Sequence, residues 1–203
     1  DHLLQRLKQP EWSAPVLAAT NGFPGVFFNL SSNPASPLAF AASATGSVSA
    51  LFLAVSGAAD GYATLLQSPV CATVTPYAPD PEYDASEASD GLLRVDGRAG
   101  TLFPDGGRHI VEIDFAEPAA LSRVFIGGTP ACAAWGQNWR GAVFEAVALD
   151  APPSEGARRA VLKYLSLRYG VAGLPPADQA DAAEARALGL DTHGCFGTRM
   201  IFR

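Results

Sequence analysis

The fold is decided by residues 141–170, which read GAVFEAVALDAPPSEGARRAVLKYLSLRYG. The segment from Ala142 to Leu149 is almost entirely apolar and predicts a buried strand. Ser154 is a typical N-cap residue and Gly170 a typical residue just after a helix, so the sequence predicts a helix from about Ser154 to Tyr169. The buried stripe of this helix, apolar at helical spacing, consists of Val161, Leu162, Leu165 and Tyr169.

Upstream of this stretch, from about Val16 to Glu117, short apolar runs alternate with clusters of Gly, Pro, Asn and Ser. The clearest runs are residues 25–30, 50–56, 63–67, 92–95 and 109–115. Many short strands separated by turn signals predict a sandwich or a barrel. Because strands with one buried face need a second sheet to cover them, we expect an all-β fold of two antiparallel sheets. The 154–169 helix is expected to close one end or edge of it.

The predicted domain covers residues 16–170. Residues 1–15 are expected to form an N-terminal stem, and residues 171–203 an extension that packs on the domain. The elements predicted in these two segments are a short amphipathic helix at His2–Lys8, a second short helix at about 177–188 that ends at Gly189, and a last strand at about 195–202.

The composition restricts the class of protein. Hydrophobic residues make up 48% of the chain and charged residues 17%, which is enough apolar material for a core and too little charge for a disordered tail. No apolar stretch approaches the ~20 residues needed to span a bilayer, so no membrane span is predicted in this chain. The net charge of -6 argues against nucleic acid as a partner, because binding to phosphates requires a basic patch.

Four segments follow one another in a recognisable order. Residues 21–28 read NGFPGVFF, residues 125–128 FIGG, residues 139–149 WRGAVFEAVAL and residues 163–170 KYLSLRYG. Together they resemble the LamG-like modules of the concanavalin A-like lectin/glucanase superfamily, over about residues 16–170. The resemblance implies a two-sheet antiparallel jelly-roll sandwich with one or two peripheral helices near the C-terminus.

One motif points to enzymatic activity. Residues 112–117, EIDFAE, resemble the E-x-D-x-x-E strand of laminarinase-like retaining glycosidases of the same superfamily. Alternate residues of a strand share a face, so Glu112 and Asp114 would point together, as the two carboxyls about 5 Å apart in a retaining glycosidase do. However, too little chain follows to build a cleft, no tryptophan precedes the motif, and Pro118 indicates that the strand ends there. We therefore predict no catalysis and interpret the motif as the polar face of a half-exposed strand.

The loop from Thr129 to Arg140 has the composition of a glycan-binding loop, since aromatic rings stack on sugar faces while amide and guanidinium groups bind hydroxyls. The alternative is that a tryptophan of this loop, Trp139, anchors it in the core. The predicted ligand-binding residues are Trp135, Gln137, Asn138, Trp139 and Arg140.

Residues 75–91 contain several prolines and a run of acidic residues, which predicts a long surface loop. Calcium takes six to eight oxygen ligands, and some LamG-like modules carry it at a loop edge, so a Ca2+ site at Asp80, Glu82 and Asp84 is the alternative to a simple solvated loop. No other cofactor is predicted. Either one disulfide with a free thiol or three buried thiols would account for the three cysteines, Cys71, Cys132 and Cys195.

These features lead to one functional hypothesis and two alternatives. The first is a non-catalytic jelly roll that binds a glycan or another surface ligand in adhesion. It would act with other subunits of an extracellular assembly such as a pilus, cell-surface structure or phage-like spike. The second is a structural protein–protein assembly module without glycan binding, which pairing of the tail strand with a neighbour would favour. The third is a glycoside hydrolase that uses Glu112 and Asp114.

Overall fold

The computed structural model describes residues 4–6, 16–20, 23–28, 38–40, 46–57, 65–67, 92–99, 107–127, 139, 141–171, 186–190 and 199–202. Within them the chain forms twelve strands and one complete α-helix. In chain order these are β1 (Leu4–Arg6), β2 (Val16–Thr20), β3 (Phe23–Phe28), β4 (Leu38–Phe40), β5 (Ser47–Gly57), β6 (Leu66–Gln67), β7 (Leu92–Val95), β8 (Arg98–Ala99), β9 (Arg108–Ala120), β10 (Phe125–Ile126), β11 (Gly141–Leu149), α1 (Glu155–Tyr169) and β12 (Arg199–Phe202).

The strands belong to two sheets. The smaller sheet has the order β1-β4-β10-β6, and the larger has the order β2-β3-β11-β5-β9-β7-β8; all of these neighbours are antiparallel. β12 pairs with β11 in parallel. The described part of the chain is therefore mostly antiparallel sheet with one helix, and the prediction of a β-rich fold is confirmed.

The central strands of the larger sheet are buried on both faces, because they are apolar on both sides. Odd-numbered residues of β5 and β9 such as Leu53 and Val111 lie in an inner core, which also contains side chains from the region of the smaller sheet. The latter are Leu65, Val124 and Ile126. Even-numbered residues such as Phe52 and Ile110 lie in a second core against α1. In β9, residues 110–113 are buried, whereas residues 116–118 are exposed. The prediction of a half-exposed strand is therefore wrong at Glu112, which is buried, and holds at Glu117.

A bulge in β11 sets the positions of two side chains. The register of β11 against β5 shifts between Val143 and Glu145, so that Phe144 is the extra residue. Phe144 lies in the core beneath α1, and the carboxylate of Glu145 reaches Tyr164 of α1. Two consecutive residues of one strand therefore face the helix, which regular alternation would not allow.

The helix has the predicted boundaries. Ser154 is its N-cap, with the side-chain oxygen accepting the Ala157 N–H at 3.0 Å, and Gly170 follows it in the left-handed conformation at φ 65°. The predicted placement at an end or edge of the sandwich is wrong. α1 packs on the face of the central strands through Val161, Leu165 and other apolar residues, because those strands carry a second apolar face that must be covered.

Two further predictions are corrected. The segment Leu4–Arg6 is strand β1 rather than part of a helix, since pairing with β4 satisfies backbone groups that a helix this short could not hold in water. β9 continues through Pro118 to Ala120, because the proline lies where the pairing between β9 and β5 is interrupted.

The C-terminal extension is described in two pieces. Residues 186–190 end a helical turn at Gly189, which has φ 67°, as the sequence predicts, and Leu190 is buried in the core beneath α1. Within the segment predicted as the last strand, residues 199–202 form β12 (Arg199–Phe202), and residues 195–198 lie outside the described residues. No helix in the described part of the chain is long and apolar enough to cross a membrane.

Candidate functional site

Four charged side chains meet where β7, β9 and α1 converge, and we call them the arginine–carboxylate cluster: Arg94, Glu112, Asp114 and Arg158. One Arg94 nitrogen, Nη1, lies 2.9 Å from Glu112 Oε1 and 2.8 Å from Asp114 Oδ2. Arg158 pairs with Glu112 and donates to Asp114 Oδ2 at 3.0 Å. The predicted sharing of a face by Glu112 and Asp114 is therefore confirmed, and that face is the one covered by α1.

The cluster is buried to different depths. Glu112 has 0% exposure, whereas the side chain of Asp114 is 22% exposed, and Glu155, which lies 3.5 Å from Arg158, is 70% exposed. Burial, followed by the positive charge of Arg94, lowers the pKa of Arg158. The cluster thus extends from the interior to the surface along the first turn of the helix.

A second buried glutamate, Glu145, is held by α1 in a different way. Its two carboxylate oxygens accept hydrogen bonds from the hydroxyls of Tyr164 at 2.7 Å and Tyr169 at 2.8 Å. Arg168 lies 3.1 Å from Glu145 and also donates to both hydroxyls at 3.2 Å. Each hydroxyl therefore donates and accepts at once. We call these four residues the tyrosine–glutamate network.

Electrostatics and ring packing reinforce this network. Burial by itself lowers the pKa of Arg168, but Glu145 and the two tyrosines reverse this effect, so the pKa is raised overall. The pKa of Tyr169 is raised by burial and by the negative charge of Glu145. The ring of Tyr169 stacks on Phe144 with centroids 5.6 Å apart, and the Arg168 guanidinium lies over both tyrosine rings at 5.8 Å.

Asp96, in the hairpin between β7 and β8, binds two residues of β9. The Asp96-Gly97 turn takes positive φ at both residues, 52° and 73°, as a tight hairpin requires. The Asp96 carboxylate lies 2.8 Å from His109 Nδ1 and accepts the Ile110 N–H at 2.9 Å. His109 is thus placed on a strand face, where it holds a turn.

The predicted ligand-binding loop is described at one residue. Trp139 is 2% exposed in the inner core, and its backbone N–H donates to the Gly127 carbonyl at 3.1 Å. A ring at that depth cannot stack on a sugar at the surface, so its burial favours the alternative that Trp139 lies in the core rather than in the ligand-binding set. The other predicted ligand-binding residues lie outside the described residues: Trp135, Gln137, Asn138 and Arg140.

The predicted calcium ligands Asp80, Glu82 and Asp84, and the three cysteines, also lie outside the described residues. Within the described ranges, no group of three or more His, Cys, Asp or Glu side chains is arranged to hold a metal ion.

The sequence reasoning missed the arginines. Arg94 interrupts the otherwise apolar run of β7, and Arg158 lies near the start of α1, where a positive charge opposes the helix dipole. A cation in such a position indicates a carboxylate partner elsewhere in the fold, and Glu112 and Asp114 were the available pair. That signal was present in the sequence.

Comparisons of this chain with protein-family models, with curated proteins and with solved structures give no match. The functional argument therefore depends on the geometry of the chain and on its sequence.

Proposed function

We propose that this chain is a non-catalytic LamG-like module with a jelly-roll fold that binds a glycan or another surface ligand. It would act in adhesion as part of an extracellular or particle-surface assembly. The loop at 129–140 would carry recognition through Trp135, Gln137, Asn138 and Arg140. Trp139 would hold the base of that loop. A single loop of this kind binds a sugar weakly, so several copies in one assembly would supply the avidity.

The proposal that the chain is not a glycosidase rests on the burial and pairing of Glu112 and Asp114. A retaining glycosidase needs one carboxyl that attacks the sugar and one that transfers a proton, and both must reach the substrate. Glu112 is completely buried beneath α1, where it accepts from Arg94 and forms an ion pair with Arg158. Asp114 accepts from both guanidinium groups. This arrangement favours a role in attaching the helix to the sheet.

The fold part of the proposal is supported by two layers. The antiparallel sheets share the inner core, and the segments that prompted the resemblance have structural roles. Glu145 of the strand segment and Tyr164, Arg168 and Tyr169 of the helix segment form the tyrosine–glutamate network. These contacts join the helix segment to the strand segment.

A multivalent glycan array tests the binding. The wild-type chain, displayed in many copies on a bead, is compared with Trp135→Ala and with the control Trp12→Ala, whose tryptophan lies outside the loop. We expect glycan binding that Trp135→Ala abolishes and Trp12→Ala retains. No glycan bound at high valency would contradict the proposal and favour a structural assembly module.

An activity assay tests the non-catalytic part separately. Release of reducing sugar from β-glucans is measured with the wild type and with Glu112→Gln. We expect no release from either chain. Release by the wild type that Glu112→Gln abolishes would establish the glycosidase alternative.

A further inference from the structure

One edge of β11 is shared by two strands of opposite direction. The opposite edge of β11 is occupied by a single strand, β5, from Gly141 to Leu149. On the shared edge, β3 pairs antiparallel with Gly141–Val143, and β12 pairs in parallel with Glu145–Ala148. The second half of this edge is therefore completed by the C-terminal strand.

This half of the edge must be occupied by some strand. Residues 145–148 of β11 are all buried, with exposures of 0% to 1%. Buried backbone N–H and C=O groups without partners are costly, and an open row of them is a template for any strand that can reach it. An empty edge here would leave such a row beside the tyrosine–glutamate network.

The strand that occupies the edge is short. β12 has four residues, and because it is parallel to β11, no tight turn fixes its register. Leu190 is the last described residue before β12 and is buried in the core beneath α1. The eight residues 191–198 between them include Gly194 and Gly197 and span up to roughly 27 Å when extended.

We infer that the edge of β11 at Glu145–Ala148 is a strand-exchange site, which accepts β12 of a second copy of this chain as well as its own. The second copy presents the same strand and the same edge, so reciprocal exchange closes a two-fold dimer in which every native backbone pair is kept. Opening requires the release of one four-residue strand. The inference does not depend on glycan binding, and the two can fail separately.

Disulfide capture tests the exchange. In a background with the three native cysteines changed to Ser, a chain with Ala146→Cys is mixed with a differently tagged chain carrying Met200→Cys, warmed briefly, returned to native conditions and oxidised. Ala146 and Met200 are register partners, so the exchange predicts a mixed disulfide dimer whose yield rises with protein concentration. In the matched control, Ala148→Cys replaces Ala146→Cys and lies two residues out of register. It should give at least about a tenfold lower yield.

The same-chain pair Ala146→Cys/Met200→Cys decides the interpretation of a negative result. If this pair forms an intrachain disulfide while the mixed chains never cross-link, β12 stays with its own chain and the inference is wrong. If neither forms, β12 does not pair with this edge and the inference is also wrong.

A peptide provides a second test with the unmodified full chain. A labelled peptide with residues 195–203, carrying Cys195→Ser, should bind and displace β12. The same peptide with Met200→Pro and Ile201→Pro should bind at least about tenfold more weakly, since adjacent N–H groups point to opposite edges and one proline must remove a bond to β11. Equal binding of the two peptides, or no binding of either, would overturn the inference.

Discussion

Two glutamates with no solvent exposure lie on the helix-facing side of the larger sheet, and the helix satisfies them differently. Glu145 binds two neutral hydroxyls and one arginine, all from the second half of α1. Glu112 binds two arginines, one from α1 and one from β7, and has Asp114 as a neighbour. In the first network, Glu145 and the tyrosines outweigh burial and raise the pKa of Arg168, whereas in the second, burial and then the charge of Arg94 lower the pKa of Arg158.

The difference indicates different roles for the two ends of the helix. The tyrosine–glutamate network is closed, since each hydroxyl both donates and accepts and every charge has a partner inside it. The arginine–carboxylate cluster places two cations beside two anions. It is exposed to solvent at Asp114 and at the neighbouring Glu155, which pairs with Arg158. We therefore expect the tyrosine–glutamate network to stabilise the fold more than the arginine–carboxylate cluster does. The cluster should tolerate the loss of individual members.

The largest effect is expected at Glu145. Glu145→Leu leaves Arg168 and two hydroxyls buried without their acceptor, and it should lower the free energy of unfolding by about 3–5 kcal/mol in urea titrations. Glu145→Gln keeps one acceptor oxygen and should cost about 1–3 kcal/mol. A loss below 1 kcal/mol for Glu145→Leu would mean that the network contributes little and that the two ends of the helix do not differ in this way.

The next largest loss of stability is expected at Arg158, and it should exceed the loss at Arg94, the other arginine of the arginine–carboxylate cluster. Arg158→Leu removes the link between α1 and both carboxylates and should cost about 3 kcal/mol. Arg94→Leu leaves Arg158 on both carboxylates and should cost about 1–2 kcal/mol. The control Lys163→Ala, on the same helix, should stay within about 0.5 kcal/mol of the wild type. Equal losses at Arg94 and Arg158 would contradict the assignment of Arg158 as the helix attachment.

Alkaline unfolding probes the closed network alone. Because the pKa of Tyr169 is raised in the folded state, the unfolded chain loses this proton first as the pH rises past about 10. The contribution of Tyr169 to the free energy of unfolding is therefore complete below that pH and is lost as the pH rises further. Tyr169→Phe should cost about 1 kcal/mol at neutral pH and make the alkaline fall in stability less steep than in the wild type. Parallel curves for the two chains would contradict this.

The smallest loss of stability is expected at Glu155, the exposed neighbour of the arginine–carboxylate cluster. Glu155 is 70% exposed and lies 3.5 Å from Arg158, so solvent screens this pair. Glu155→Gln should change the free energy of unfolding by less than about 1 kcal/mol, and added salt should reduce the difference. A larger loss that salt does not affect would show that the cluster is closed to solvent after all.

The elements that local sequence specifies were predicted well. Alternation and turn residues gave β7 and β11 within one residue, and the cap residues Ser154 and Gly170 gave the ends of α1. The predictions failed where tertiary contacts decide. Leu4–Arg6 is a strand because β4 is available to it, and the helix lies on a face because β5 and β9 are apolar on both sides.

The candidate site shows the same division. That Glu112 and Asp114 share a face follows from their spacing, but their partners Arg94 and Arg158 are 18 and 44 residues away from the carboxylates they bind, and no periodicity relates them. The pairing of Glu145 with the tyrosines depends on a bulge that turns it toward the helix. The burial of Trp139 was available from the sequence only as one of two alternatives.

The central claim is that the carboxylates of the EIDFAE strand attach the helix to the sheet. A double-mutant cycle between Glu112→Gln and Arg158→Met, followed by urea unfolding, tests it most directly. We predict a coupling energy of about 1–3 kcal/mol between the two residues. Additive losses, with a coupling energy within error of zero, would contradict the claim and free Glu112 for another role.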